Sequence, residues 1–291
     1  MYNNISVFLT VVNEGSFRKA ADKLGYTQAG ISYSIQSLEE ELGISLFIRE
    51  KTGVRLSAEA TQLLPYFKQI ETDQQKIYQE INNLKGLETG TLRIQIFDSI
   101  AIHWLPNILQ RFTNDYPRVT IDLISVEDSL EAEEMVYTGE VDCGFFLTDV
   151  SADIEIVKLK EESLLAIISP EHELAGNLSF PISDLGKYPY ISMKYDSHTG
   201  INHIFEKYNA IPNTAYLLDN DYAAMAMVSK GFGYCIFPEL LLQNVPYEIK
   251  SLPFDIPQTR TISIGTRSLK TASSACQKFI EYTSRWVNEN G

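Results

Sequence analysis

Apolar positions spaced three and four apart open the chain. Ile5, Phe8, Leu9 and Val12 mark a first helix, which Glu14-Gly15 ends. Ser16 suits the N-cap of a second helix, with Phe17, Ala20, Ala21 and Leu24 turned inward, and Gly25-Tyr26 makes a tight turn. Thr27 caps a third helix that buries Ile31, Ile35, Leu38 and Leu42 and stops at Gly43. Two helices joined by a short glycine-containing turn form a helix-turn-helix, and the small pair Ala20-Ala21 lets them pack closely. Ile44–Arg49 and Val54–Leu56 then predict two short strands around a glycine turn, a wing.

The pattern changes after residue 58. Leu63, Phe67, Ile70, Gln74, Ile77, Ile81 and Leu84 alternate four and three apart, a heptad on one long helix over 59–88. Pro65 falls in its first turns and Glu88-Thr89-Gly90 ends it. A helix packed on its own domain and a dimer coiled coil both fit; the coiled coil is preferred because the helix links two regions with no strand pattern beside it. Residues 91–291 alternate strands and helices. Thr91–Phe97 alternates inward and outward, a helix with Ile102, Leu105, Ile108, Leu109 and Phe112 buried follows, and then come strand 119–126, helix 129–138 and strand 141–147. That is a βαβαβ unit with a parallel sheet. Leu164–Ser169 opens a second such unit, Ile262–Gly265 crosses back to the first, and a last helix carries Ala272, Cys276, Phe279, Ile280, Thr283 and Trp286 on one face. Two similar units with a double crossover leave a crevice at the strand C-terminal ends, where such sheets bind ligands.

Charge complicates a nucleic-acid function. The net charge is −14, so any contact with a polyanion must be local. Residues 1–60 carry six basic residues (Arg18, Lys19, Lys23, Arg49, Lys51, Arg55) and seven acidic ones. Glu39, Glu40 and Glu41 gather at the C-terminal end of the third helix, whereas Arg18, Lys19, Arg49, Lys51 and Arg55 flank its N-terminal end and the wing. The outer side of that helix presents Gln28, Ser32, Tyr33 and Gln36, hydrogen-bonding side chains suited to base edges and phosphates. Three scattered cysteines, Cys143, Cys235 and Cys276, predict reduced thiols rather than a disulfide framework. The first fifteen residues lack Lys and Arg, and no apolar run reaches membrane length, so a cytoplasmic protein is expected.

From Phe8 to Ser57 the chain reads F..VV.EGSF.KAA..LGYTQAGIS.SI..LEEELG..LF.R and then RLS. This run resembles the LysR-type transcriptional regulators. LRIQIFDSIAIHWLP, TGEVDCGFF and VSKGFGYCIFPELL resemble later landmarks of the family. Tyr33 and the pair Ala29-Gly30 depart from its usual residues. The resemblance implies an α + α/β architecture: a winged helix-turn-helix at 1–58, a dimerisation helix at 59–88, and a periplasmic-binding-protein-like effector domain at 91–291. Within that domain, subdomain I would take about 91–161 and 267–291 and subdomain II about 162–266. It further implies double-stranded DNA as partner, a small-molecule effector, and a homodimer or homotetramer, with no cofactor and no catalysis.

The expected DNA-binding residues are Arg18, Lys19, Thr27, Gln28, Ala29, Gly30, Ser32, Tyr33, Gln36, Arg49, Lys51 and Arg55. For the effector, the crevice rule selects Asp98, Ser99, Ile100 and Ala101 after the first strand, facing Thr148, Ser197, His198, Thr199, Asp219 and Asp221. Amide groups at the helix start near Ser99 and Ile100 favour an anion. Asp98, Asp149, Asp196, Asp219 and Asp221 oppose one, with Lys194 as the only nearby cation, so a zwitterion, an amine or a neutral polar ligand is favoured. Two other classes are weighed. A hydrolase lacks its G-x-S-x-G elbow, and His103, His172, His198 and His203 have no metal spacing. An exported solute-binding protein would suit the crevice but needs a leader.

Overall fold

A computed structural model describes residues 2–50, 53–84, 90–147, 149–150, 153–196 and 200–290. The chain falls into two units, Met1–Lys85 with Thr138–Glu140 and Gly86–Tyr137 with Val141–Gly291. In the first, α1 (Tyr2–Glu14), α2 (Phe17–Leu24) and α3 (Gln28–Leu42) enclose a core of Ile5, Phe8, Val11, Ala20, Ala21, Ile31, Ile35 and Leu38. Local chemistry sets the boundaries. Gly25 sits at φ +68° after α2, a left-handed conformation that costs an L side chain energy. Thr27 Oγ1 accepts the Gly30 N–H at 3.1 Å, taking one of the donors a helix start leaves free. The wing is β1 (Phe47–Glu50) antiparallel to β2 (Gly53–Leu56), with Phe47 opposite Leu56. Glu39 Oε1 accepts the Leu46 N–H at 2.6 Å and so ties α3 to the start of the wing.

Ser57 Oγ caps α4 (Ala58–Leu84) by accepting the Ala60 N–H at 3.0 Å. The expected heptad seam divides in two along α4. Ala60, Leu63, Phe67 and Ile70 pack into the core of their own unit, whereas Ile77 and Ile81 are 60% and 39% exposed. The self-packed alternative therefore describes the N-terminal half, and among the described side chains of the C-terminal half Ile77 and Ile81 stay exposed. Pro65 is the eighth residue of α4, so the carbonyl one turn earlier lacks its usual donor.

The second unit opens with β3 (Gly90–Ile96), α5 (Asp98–His103), α6 (Leu105–Asp115), β4 (Val119–Ser125), α7 (Ser129–Thr138) and β5 (Cys143–Phe146). β3 lies between β4 and β5, parallel to both. The single helix expected after β3 is two, because Pro106 in the first turn of α6 cannot donate to the ladder of α5. The break rotates Ile102 out to 42% exposure, against its expected burial. Simple alternation also fails on β3. Gln95 is fully buried, accepting the Phe145 N–H and donating to the Val126 carbonyl, each at 3.1 Å. A buried amide with both ends paired acts as a pin between strands.

β6 (Glu155–Ile168) is a 14-residue strand, longer than the expected Leu164–Ser169. β7 (Pro189–Met193), α8 (Ile201–Lys207), β8 (Asn213–Leu218), α9 (Asp221–Ser229), β9 (Cys235–Pro238), β10 (Lys250–Pro253), β11 (Thr259–Thr266) and α10 (Ser274–Asn290) complete the chain. The main sheet runs β10-β6-β11-β5-β3-β4, with β9 also paired to β6. The first part of β6 pairs with β11 and its end pairs with β9 and β10, so these two long strands join the two halves of the unit. Gly233 lies where β9 meets β7, and a Cβ there would stand 2.3 Å from the Pro189 carbonyl oxygen. Cys143, Cys235 and Cys276 are free and buried; a hydrogen bond with Cys276 and then burial raise the thiol pKa of Cys143, and burial raises that of Cys235, leaving them unreactive. Among the described residues no helix is long and apolar enough to cross a membrane.

Candidate nucleic-acid interface and ligand cavity

α3 is two-faced. Ile31, Ile35 and Leu38 fill the core, which leaves Gln28, Ala29, Tyr33 and Gln36 on the open side with Ser32 half-buried beside them. Tyr33 is 75% exposed, a large aromatic with nothing folded over it. Gln36 Nε2 donates to Glu40 Oε1 at 2.9 Å. Thr27 serves first as the cap, and a Cβ at Gly30 would lie 3.3 Å from its Oγ1, so the glycine leaves room for that bond. Arg18 and Lys19 are exposed on α2, and Arg55 is exposed on β2, paired across the wing with Ile48. Arg49 lies on β1 opposite Val54, and Lys51 falls outside the described residues. Lys23 is held by Glu14 at 2.7 Å, which fastens α2 to α1 and neutralises that charge.

The second unit contains a small, partly open cavity between its halves. Ser99, at the start of α5, and Asp221, at the start of α9, line it as expected. Ile100 is fully buried in the hydrophobic core, with Ala101 packed partly against it, so neither presents a side chain to a ligand. Asp98 is exposed beside the cavity and accepts the Ser125 hydroxyl at 2.9 Å. Asp219 and Lys194 form an exposed surface pair at 2.7 Å, and Asp149 is exposed. Asp196 is buried under Tyr190, Ser192 and the Met193 amide, a brace within the fold. Thr148, Ser197, His198 and Thr199 fall outside the described residues. Of the amides expected to receive an anion, that of Ile100 is engaged: Ile100 and Ala101 both donate to the Phe97 carbonyl.

Several lining residues escaped the sequence. Glu127 follows β4 just as Asp98 follows β3, so the strand-end rule applied to all three parallel strands would have found it. Its Oε1 accepts the Asp98 N–H at 2.8 Å, and burial together with the Asp98 and Asp221 charges pushes its pKa up to about 7. Burial likewise raises Asp221 to about 6, although the Tyr195 hydroxyl donates to its Oδ1. The cation is Arg260 of β11 rather than Lys194. Its guanidinium reaches Glu162 of β6 at 2.6 Å, with side-chain exposures of 8% and 3%. No local signal marks Arg260 as a pocket residue.

Residues 2–61 match the family model for "Bacterial regulatory helix-turn-helix protein, lysR family", and residues 85–287 match that for "LysR substrate binding domain". The chain belongs to the LysR family. A curated relative, the HTH-type transcriptional regulator YvbU of Bacillus subtilis (strain 168), is 27% identical, with 95% of each chain covered. Full-length OxyR from Pseudomonas aeruginosa has the same fold, with a TM-score of 0.76 at 19% identity over 99% of this chain and 94% of that one. Full-length CbnR in complex with its target DNA has a TM-score of 0.69 at 20% identity, covering 98% and 99% of the two chains. This LysR-family protein is a DNA-binding transcriptional regulator with an effector-binding domain, and it is not an enzyme.

Proposed function

We propose that this LysR-family regulator lays the N-terminal half of α3 in the major groove of duplex DNA. Gln28, Ala29, Gly30, Ser32, Tyr33 and Gln36 meet base edges and nearby phosphates, while Arg18, Lys19, Arg49, Lys51 and Arg55 grip the flanking backbone. One observation carries this reading: α3 buries its apolar side in its own unit and leaves a polar edge, with an exposed tyrosine, that no described residue of that unit covers. The protein acts in the cytoplasm as a homodimer or homotetramer, paired through the exposed Ile77 and Ile81 stripe of α4. Residues 1–58 form the reading domain, 59–88 the dimerisation helix and 91–291 the sensing domain. A small-molecule effector occupies the cavity lined by Ser99 and Asp221 and biases the dimer's grip on DNA.

The test is selection of duplex fragments from the source genome by the purified full-length protein at fixed salt. A preferred fragment is expected, and Gln28→Ala should bind it about 10- to 100-fold more weakly, the loss of one side chain–base pairing. The absence of any preferred duplex would overturn the reading.

A further inference from the structure

Taking the cavity as the effector site proposed above, its lining decides the charge of the ligand. Arg260 is the one cation among the described lining residues, and its charge is already matched. Glu162 holds its guanidinium at 2.6 Å, and the second Glu162 oxygen accepts the Leu240 N–H at 3.1 Å. This pair is a buried tie within the fold. The Asp98 amide donates to Glu127, the Ile100 and Ala101 amides donate to Phe97, and Asn220 Oδ1 takes the Ala223 N–H at the start of α9. An anion entering here finds those amides and the Arg260 charge already committed.

The carboxylates stand otherwise. Glu127, after β4, and Asp221, at the start of α9, reach the same cavity from its two halves, with Asp98 beside Glu127. Each of the two has one oxygen engaged, Glu127 by the Asp98 amide and Asp221 by the Tyr195 hydroxyl. Tyr195 and Phe237 supply aromatic rings to the same wall, and ring faces attract cations. We propose that the effector is a small organic cation, an ammonium or guanidinium compound, whose charged group lies between Glu127 and Asp221 against the rings of Tyr195 and Phe237. Held by carboxylates from both halves, the cation binds their closed arrangement better than an open one, and that difference in affinity is what an effector needs.

The raised pKa values of Glu127 and Asp221 give the binding a signature. Asp98, Asp196 and Arg260 also act on these groups, and the neighbouring carboxylates favour keeping protons that an incoming cation displaces. Calorimetry on the full-length protein with putrescine and agmatine as cations, and succinate as a dianion, tests this. At least one cation should bind with proton release, read as a dependence of the heat on buffer ionisation, and with affinity rising several-fold as pH rises from about 6 to 7.5. Glu127→Gln and Asp221→Asn, which retain acceptors for the Asp98 amide and the Tyr195 hydroxyl, should each weaken it about tenfold or more. Melting curves establish that each variant folds, and either one alone is decisive. Cation binding unchanged in a folded variant overturns the placement. Succinate binding while neither cation binds overturns the charge assignment and leaves the effector reading intact. Binding of no probe, with operator affinity unmoved by all three, overturns both.

Discussion

At the scale of single residues, the same side chain has opposite meanings in different surroundings. Asp219 and Lys194 form a surface pair worth little, while Glu162 and Arg260 form a buried one whose halves depend on each other. Glu127 is the most informative case. Its carboxyl titrates near 4.5 when free and at about 7 in the folded protein, so between these values the folded state keeps a proton that the unfolded chain has lost. Stability therefore falls as pH rises through that window, and the cost of the buried charge is fully present above it. Asp221 adds the same trend between about 3.8 and 6. Glu127→Gln is expected to raise the melting temperature at pH 8 and to change it much less at pH 4.5. An equal shift at both pH values would show that burial of the charge is not what strains this site. Glu127 could have been identified from the chain, since it follows a strand as Asp98 does. Arg260 could not, because nothing within several residues distinguishes it from a solvated strand arginine.

At the scale of elements, caps and spacing were legible and tertiary competition was not. Thr27, Gly25 and Gly43 bound their helices where local rules place them, because each acts through atoms a few residues away. α4 shows the limit. Its heptad is real, yet Leu63 and Phe67 find partners in their own unit, so periodicity alone could not say which surface takes the stripe. The C-terminal half keeps Ile77 and Ile81 exposed, and pairing with a second copy would bury them. Each such isoleucine contributes about 1.5–3 kcal/mol when fully buried, so Ile77→Glu with Ile81→Glu should weaken the dimer by roughly 100-fold or more. Sedimentation at micromolar concentration should then find monomers whose first unit still melts cooperatively. An intact dimer would move the interface elsewhere.

At the scale of the whole molecule, charge is partitioned. Residues 1–60 hold six basic and seven acidic residues, so all but one of the fourteen net negative charges lie beyond them. DNA binding is thus confined to one small surface and should be strongly salt-dependent. A dimer presenting those six basic residues twice sets a limit of about −11 on the slope of log affinity against log salt. A titration series in potassium chloride reads the slope directly; for a dimer, a steeper value would mean that lysines or arginines of the second unit also touch DNA. The chain by itself determined the family, the two-faced reading helix and the parallel βαβαβ order, because these follow from periodicity and from groups close in sequence. Only the tertiary structure decided where α4 turns its apolar stripe and which charges meet in the cavity. Glu162 and Arg260 are 98 residues apart along the chain, and whether a charge is matched or strained depends on distance and burial in space, which no local pattern carries.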